Sequence, residues 1–255
     1  MSEDIATLEV IGLPQLPEVR SGDDVVGMIG DSIAEAGTGL RSDDVIVVTQ
    51  KIVSKAEGRL VDLKTVEPSA FALDFAAQWN KDPRQVEVVL RESKRVVRMD
   101  RGVLITETRH GFVCANAGVD ASNVEADTVC LLPLDPDASA HAIRRGLNER
   151  FGVQSGVIIS DSFGRPWRIG IVNVAIGVAG LPALIDYRGQ YDDAGYELHV
   201  TVIAVADELA CAAELVMGKS AGVPVAVVRG VDRSWFRTGS VHDEVVRSPA
   251  EDLFR

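Results

Sequence analysis

The sequence predicts a globular fold that contains both α-helices and β-strands, and three observations support this prediction. Short β-branched apolar runs, such as 45–53 and 223–228, have the composition of buried strands. Between such runs, apolar residues recur at helical spacing behind capping residues, as they do after Asp23 and Asp24. The hydrophobic fraction of 46% and the charged fraction of 25% are those of an ordinary globular protein.

Length and charge limit the classes of protein that fit. The 255 residues can form one large domain or two intertwined smaller ones, and we treat 1–255 as a single unit because no boundary is visible. The formal net charge of −12 argues against nucleic-acid binding, which requires a basic surface. Binding of an anionic small ligand remains compatible with this charge if divalent cations bridge the ligand to the acidic protein.

The compartment follows from cysteine usage and from the absence of apolar spans. The three cysteines are far apart and lack a CxxC pattern, which argues for a reducing cytosol and against zinc. No run of about 18 apolar residues is present, and the acidic start of the chain does not resemble a signal peptide. We therefore expect a cytoplasmic protein that does not enter a membrane.

The first part of the chain predicts mainly structural elements, and two places in it are candidates for contact with a ligand. The stretch 8–16 predicts an apolar strand that ends at Gly12 and Pro14. After this point the backbone is either free to contact a ligand or simply leaves the sheet. A helix follows the two aspartates and stops at Gly37. The run 45–53 predicts a buried strand, and Lys55 directly after it is either a phosphate contact or a solvated surface lysine.

The region 68–97 has a helical pattern. Phe71, Phe75 and Trp79 recur every four residues, which is more typical of a core stripe than of a cofactor site. Asp82 followed by proline restarts the helix. The basic residues at its end, which continue to Arg101, are interpreted as a solvated face.

The next two strands form a predicted hairpin. The runs 103–108 and 112–115 flank 109–111, and the second run leads into the small, polar loop 116–123. Within this loop, Asp120 and Asn123 either supply a metal ligand and a hydrogen bond to a nucleotide or serve as Asx-turn residues.

A capped helix from Asp135 to Gly152 precedes the most chemically suggestive stretch. The buried strand 157–159 ends in Ser160, Asp161 and Ser162, and these oxygen ligands suit a hard cation. Arg165 and Arg168 follow within a turn, where they can bind an anion. The alternative is a surface turn with a capping side chain.

The last third predicts a strand over 198–204, a helix over 207–217 and a strand over 223–228. The octapeptide AELVMGKS at 213–220 comes within one residue of a Walker A motif. A P-loop needs a strand before the motif and a helix after it, whereas this sequence has the reverse order. We therefore reject a Walker-type site, although Gly218 and Gly222 leave a flexible loop where a nucleotide can lie.

Five segments together resemble the coenzyme F420-0:γ-glutamyl ligase family: IGLPQL, VVTQKIVSK, ETRHGFVCANAGVDASNV, IISDSFGRPWRIG and AELVMGKSAGVPVAVVRG. They occur in the order of that family and cover nearly the whole chain. The resemblance implies a mixed α+β fold with a mixed sheet and an intertwined homodimer. It also implies a GTP-dependent ligase that adds L-glutamate to F420-0 and uses two divalent ions, Mg²⁺ or Mn²⁺.

The resemblance also assigns residues. It implies that Asp120 and Asp161 hold a first metal ion and Ser162 a second. The residues implied to surround GTP are Leu13, Pro14, Gln15, Leu16, Gln50, Lys55, Asn123, Met217, Gly218, Lys219, Ser220 and Gly222. Lys219 departs from the family pattern, because it stands where a Glu or Gln can help to bind the second metal.

By resemblance the reaction is a two-step ligation through an acyl phosphate, with Asp120, Asp161, Arg165 and Arg168 as catalytic residues. Either arginine would hold F420-0. Two alternatives stay open, namely another metal- and nucleotide-dependent carboxylate–amine ligase, and a non-catalytic module that binds a nucleotide or F420. The chain is either a stand-alone ligase or a piece of a fusion with a nitroreductase-like domain.

Overall fold

The computed structural model describes residues 6–14 and 16–253, so the prediction made for Gln15 lies outside the described residues. The strands are β1 (Glu9–Gly12), β2 (Val45–Thr49), β3 (Leu60–Asp62), β4 (Ser93–Asp100), β5 (Val103–Thr108), β6 (Val113–Ala115), β7 (Thr128–Cys130), β8 (Gly156–Arg165), β9 (Arg168–Ala179), β10 (Ile185–Asp186), β11 (Val202–Ile203) and β12 (Val225–Arg229). The helices are α1 (Val25–Glu35), α2 (Gln50–Ala56), α3 (Ala70–Trp79), α4 (Pro83–Glu92), α5 (Pro136–Phe151), α6 (Val205–Met217) and α7 (Val241–Glu244). Among these described helices, none has both the length and the apolar character that a membrane crossing requires.

The centre of the fold is a mixed sheet with the strand order β1-β12-β2-β8-β9. Strand β2 is parallel to β8, and the other neighbouring strands are antiparallel. A mixed sheet combined with packed helices confirms the predicted mixed α+β class.

Each face of this sheet packs against helices, because neighbouring residues of a strand point to opposite faces. On one face, Ile46 and Val48 of β2 join a core with helices α1 and α5. On the other face, Val45 and Val47 pack against helix α6. Burial on both faces explains why β2 is a continuous β-branched run rather than an alternating one.

A third cluster of buried residues lies outside the central sheet. Helices α3 and α4 contribute Phe75 and Val89, strand β5 contributes Leu104, and β7 contributes Val129. The strands around this cluster form a three-stranded sheet, β4-β5-β6, and a two-stranded sheet, β3-β7. The chain thus has two packing units, the central sheet with its two helical layers and the unit around the third cluster.

Helix starts follow the predicted capping residues. The carboxylates of Asp24, Asp82 and Asp135 each accept a backbone N–H bond in the first turn of α1, α4 and α5 respectively. Helix α5 ends at Gly152, whose φ of 66° lies in the left-handed region that glycine adopts easily. The five predicted helices are found as α1, α3, α4, α5 and α6, with α6 beginning at Val205 and without a side-chain cap.

The predicted strand 45–53 is wrong beyond Thr49. From Gln50 the chain turns into helix α2, so Lys55 lies on a short helix and does not follow a strand directly. The β-branched residues Ile52 and Val53 continue the apolar pattern, but they bury a helix face in the first core cluster. Tertiary packing here overrides strand propensity.

Three other predicted boundaries are also corrected. The helical region 68–97 ends at Glu92, because Ser93–Asp100 pairs with β5 as an exposed strand. The strand that carries Asp161 does not end at Ile159 but continues to Arg165 in a hairpin with β9. The predicted strand 198–204 is reduced to Val202–Ile203, which pairs only with the two residues of β10.

The aromatic stripe of α3 is core only in part. Phe75 is buried, whereas Phe71 and Trp79 are 43% and 37% exposed. Phe71 stacks on Phe75 with ring centroids 6.1 Å apart, so it covers the edge of the third cluster without entering it.

A buried ion pair fastens one end of the central sheet. Arg229 at the end of β12 donates two hydrogen bonds to Asp44, from Nε to Oδ1 at 2.9 Å and from Nη2 to Oδ2 at 2.8 Å. Asp44 also accepts the backbone N–H of Arg41 at 2.8 Å. The side chain of Asp44 is only 2% exposed, so its charge depends on these partners.

We expect Arg229→Met to lower the free energy of unfolding by about 3 kcal/mol, because it leaves a buried carboxylate without its counter-charge. The double variant Arg229→Met/Asp44→Asn should recover part of this loss. Arg188→Met is a matched control, since Arg188 and Asp186 form a similar pair at an exposed site. Urea unfolding measures the free energy of unfolding of all three variants. Equal losses for Arg229→Met and Arg188→Met would contradict the stabilising role of the buried pair.

Candidate active-site cleft

Several chain segments meet at one edge of the central sheet. The strand directions place the carboxyl ends of β1 and β2 beside the amino end of β12. Hydrogen bonds hold them together at this edge, from the N–H of Leu13 to the carbonyl of Val225 at 3.0 Å and from the N–H of Thr49 to that of Pro224 at 2.9 Å. The residues that leave these strands therefore surround one opening.

The opening is a cleft because β2 and β8 separate there. Their parallel pairing ends at Thr49 and Ser160, where β2 turns into α2. Strand β8 continues, so Asp161 and Ser162 extend past the end of β2 and line the cleft. The cleft has a volume of about 880 Å³, within the range of small-molecule sites.

Most of the predicted site residues come together here. Those that line the cleft are Leu16, Gln50, Lys55, Asp120, Asn123, Asp161, Ser162, Met217, Gly218, Lys219, Ser220 and Gly222. Leu13 is buried in the first core cluster, and the carbonyl of Pro14 accepts a hydrogen bond from Ser32. Neither of these two lines the cleft.

The two predicted arginines lie elsewhere. Arg165 and Arg168 flank the turn of the β8–β9 hairpin, outside the cleft lining. Arg165 donates to the carbonyls of Ile169 and Gly170 and thereby braces the hairpin turn. Their role in holding F420-0 stays a prediction.

Asp161 carries the most unusual charge environment of the cleft. Burial raises its pKa to about 6, and the nearby carboxylate of Asp120 adds to this effect. A backbone N–H bond from Ser162 and the positive charges of Lys51 and Lys219 act in the opposite direction. Two carboxylates that repel each other in a partly buried cleft favour the binding of a cation between them.

Asp120 is held by its backbone and by its side chain. Its N–H and carbonyl pair with Cys130, which links the loop to β7. Its Oδ2 accepts a 2.5 Å bond from Lys51 Nζ and a 2.8 Å bond from the hydroxyl of Ser122, while Oδ1 accepts the N–H of Ser122. Burial by itself would raise the pKa of Asp120, but these hydrogen bonds outweigh it and the pKa lies below its usual value.

The loop that carries Asp120 has unusual backbone geometry. Asn116, Ala117 and Asn123 adopt positive φ angles of 52°, 52° and 53°. Such angles are common for asparagine but strained for alanine, and Ala117 is buried in the third cluster. Packing of the third cluster thus holds this loop at the cleft in a conformation that its sequence alone would not prefer.

The ammonium group of Lys219 contacts the hydroxyl of Ser162, the residue predicted to bind a second metal ion. Its Nζ is 2.5 Å from Ser162 Oγ, 2.9 Å from Glu214 Oε1 and 3.3 Å from Asn173 Oδ1. Asn173 in turn accepts the Ser162 hydroxyl and donates to Glu214, each at 2.8 Å. An ammonium group therefore occupies the polar surroundings of Ser162.

Lys55 is a buried lysine with an exposed partner. The residue is 7% exposed, and its Nζ contacts Glu18 Oε1 at 2.5 Å, whereas the Glu18 side chain is 71% exposed. Gln50, one turn earlier on α2, is buried and accepts the hydroxyl of Ser54 at 2.8 Å. Since Glu18 can turn into solvent, another anion can take its place at Lys55.

The donor set fits a hard divalent cation better than a softer metal. Within residues 6–14 and 16–253, no group of three or more His, Cys, Asp or Glu side chains could hold a metal ion. Two carboxylates with neighbouring hydroxyls leave the other ligand positions to water or phosphate oxygens, as Mg²⁺ prefers. The buried hydroxyl of Ser160, which lines the cleft, has no hydrogen-bond partner in the described part of the chain.

Sequence reasoning missed Lys51, Asn173 and Glu214. Asn173 was detectable as a polar residue inside the apolar run of β9, where it is buried. Lys51 likewise interrupts the apolar run 45–53, but its partner Asp120 is distant in the sequence, and Glu214 had no comparable signal. The order of elements at the near-Walker segment was correct, since α6 precedes it and β12 follows.

The protein has a mixed α+β fold with a cleft at one edge of its central sheet. The carboxylates and lysines of this cleft are typical of an enzyme that acts on anionic, oxygen-rich ligands. Residues 14–230 match the family described as F420-0:Gamma-glutamyl ligase. The chain belongs to this family. The family and the ligase class predicted from the five segments are thereby confirmed.

Curated relatives match almost the whole chain. It is 46% identical over 254 residues to the coenzyme F420:L-glutamate ligase of Methanopyrus kandleri, which covers 98% of this chain and 99% of the relative. The protein of the same name from Methanothermobacter thermautotrophicus is 45% identical over 249 residues, covering 97% and 99%. That from Methanocaldococcus jannaschii is 43% identical over 249 residues, covering 97% of each chain.

We expect Asp161→Asn to stabilise the metal-free protein at neutral pH. The pKa of Asp161 is about 6 in the folded chain and about 3.8 when unfolded, so the folded state is penalised as pH rises between these values. The penalty is small below about pH 4 and is on the order of 3 kcal/mol above pH 6, since one pKa unit corresponds to about 1.4 kcal/mol. Asparagine does not titrate and should remove it.

Urea unfolding in EDTA at about pH 4.5 and about pH 7.5 measures this effect, which should appear as a stability gain over wild type that grows with pH. Asp232→Asn serves as a control. The backbone N–H of Ser234 holds the pKa of Asp232 below its usual value, so its difference from wild type should change little over this range. A pH-independent difference for Asp161→Asn would contradict the assignment.

Proposed function

We propose that this chain joins L-glutamate to coenzyme F420-0 through an amide bond, with GTP as the phosphoryl donor. Family membership supports a ligase of F420 biosynthesis. The observation that carries the finer proposal is the pairing of Asp161 with Asp120 in a cleft that also contains the ammonium groups of Lys51, Lys55 and Lys219. Such a site suits triphosphate chemistry, which depends on charge neutralisation and positioning.

The GTP site lies along the edge of the sheet in this proposal. Lys55 would exchange Glu18 for a phosphate oxygen, and Asn123 would contact the nucleotide from the opposite loop. The loop 217–224 supports this placement, because Gly218 and Gly222 have positive φ angles of 58° and 68° and let the backbone approach a ligand closely. Gln50 and Leu16, which also line the cleft, would complete the site.

Asp120 and Asp161 would hold a divalent ion, Mg²⁺ or Mn²⁺. When bound, this ion would neutralise phosphate charge and polarise a phosphoryl oxygen. We propose that Lys219 takes over the contacts of Ser162 that a second ion would make, since its ammonium already lies 2.5 Å from the serine hydroxyl.

The reaction would proceed in two steps. A carboxylate oxygen of F420-0 attacks the γ-phosphorus of GTP, which gives an acyl phosphate and releases GDP. The amine of glutamate then attacks the acyl carbon, phosphate departs with the bonding electron pair, and the nitrogen loses a proton to give the amide. The lysines of the cleft would hold the phosphates in line during both steps.

We also propose that the protein is a homodimer. The support is the β8–β9 hairpin, where Trp167 is 85% exposed and Ile169 is fully exposed. Large apolar side chains grouped at a hairpin tip are typical of a surface that another protein covers. A second copy of this chain is the proposed occupant, and sedimentation equilibrium measures the mass.

The ligase activity is tested by incubating the protein with F420-0, GTP, glutamate and Mn²⁺, followed by mass spectrometry. A glutamate-sized mass increment on F420-0 with release of GDP is the expected result, and Asp161→Asn should not produce it. GTP turnover only with another acid would favour a different carboxylate–amine ligase. Binding without any turnover would favour a non-catalytic module.

The charge of Lys219 should set the metal requirement of turnover. We expect Lys219→Glu to shift the Mn²⁺ activation curve to lower concentration by about tenfold or more, because a positive charge beside a divalent ion becomes a negative one. Lys219→Ala should lie between this variant and wild type. Complete inactivity of both variants would instead indicate a phosphate-binding lysine, and unchanged curves would place Lys219 outside the reacting site.

A further inference from the structure

Lys51 lines the cleft and contacts three oxygen atoms, all within 2.7 Å. Its Nζ is 2.5 Å from Asp120 Oδ2, 2.6 Å from Ser122 Oγ and 2.7 Å from the carbonyl oxygen of Ser122. The side chain is only 15% exposed. These are three oxygen atoms of one loop around one cation.

The contacts resemble those of a bound metal ion more than those of a surface ion pair. A carboxylate, a hydroxyl and a backbone carbonyl are the oxygen ligands that hard cations take in proteins. The positive charge of Lys51 also acts on Asp161, the second carboxylate of the cleft. Lys51 therefore contacts the carboxylate of Asp120 directly and acts on that of Asp161 only through its charge.

We propose that Lys51 is a resident cation of the cleft, which neutralises Asp120 in the metal-free protein and gives up this position when a divalent ion binds. This inference rests on the proposed metal role of Asp120 and Asp161. Lys51 acts through Asp120, so it is a positioning residue.

Occupancy of the carboxylate explains why the two cations compete. Oδ1 of Asp120 accepts the N–H of Ser122, and Oδ2 accepts both Lys51 and the Ser122 hydroxyl. An arriving divalent ion must either displace the Lys51 ammonium or bind the same carboxylate beside it, with the two cations a few ångströms apart. The second arrangement is strongly repulsive in a partly buried site.

A purely structural role predicts the opposite effect. If Lys51 only fastened the loop 120–123 to helix α2, its removal would loosen Asp120 and weaken metal binding. If Lys51 is a competing cation, its removal strengthens metal binding. The sign of the change in metal affinity separates the two roles without reference to activity.

The experiment measures Mn²⁺ binding by electron paramagnetic resonance, without nucleotide, for wild type, Lys51→Gln and Lys51→Arg. Lys51→Gln keeps a donor for Asp120 but removes the charge, so the Kd for Mn²⁺ should fall about tenfold or more. Lys51→Arg keeps the charge and should stay near wild type. Lys64→Gln is the matched control, since Lys64 is an exposed lysine that lies outside the cleft lining and should leave the Kd unchanged.

A Kd for Lys51→Gln that is equal to or higher than that of wild type overturns the inference, provided that thermal unfolding in EDTA shows a folded variant. If Lys51→Gln does not fold, a Kd for Lys51→Arg far from the wild-type value overturns it instead. Absence of Mn²⁺ binding by wild type removes the metal site and the role of Lys51 with it. Failure of the proposed function is a separate result, because it appears as loss of the mass increment in wild type while the order of the Kd values stands.

Discussion

The cleft depends on the balance between its carboxylates and its ammonium groups. Asp161 is largely buried beside Asp120, and burial of two like charges is unfavourable unless positive charge is close. Lys51 contacts Asp120 itself, and Lys219 contacts Ser162, next to Asp161 on β8. The carboxylates and lysines of the cleft thus neutralise one another in the free protein. In the proposed complex, a divalent ion would neutralise the carboxylates and phosphate groups would neutralise the lysines.

The sheet provides the place where this balance is possible. Strand β2 leaves the sheet at Thr49, one residue pair before Asp161, while β8 continues beside β9. The carboxylate therefore projects from a regular strand into space that the neighbouring strand no longer fills. Because it is carried by a paired strand rather than by a free loop, Asp161 is held more rigidly than a turn residue would be.

The sequence allowed much of this to be predicted, and the failures have a common physical cause. Helices α4 and α5 were predictable because Asp82 and Asp135 each precede a proline, and Gly152 ends the second helix, all of which are local signals. Asp161 was singled out by its place after an apolar strand, whereas Asp120 was assigned through the family resemblance. Lys51 was missed because its partner lies 69 residues away, and α2 was mistaken for a strand because tertiary burial, not propensity, decides its conformation.

The two carboxylates belong to different packing units. Val119, beside Asp120, is buried in the third cluster, whereas Ile159, two residues before Asp161, is buried in the core of the central sheet. A ligand that binds both carboxylates therefore contacts both packing units and links them. Its binding energy adds to their cohesion by mass action, so the smaller unit gains resistance to local opening whenever the cleft is filled. In the proposed complex, metal binding and the stability of the unit around the third cluster would therefore be coupled through Asp120 and Asp161.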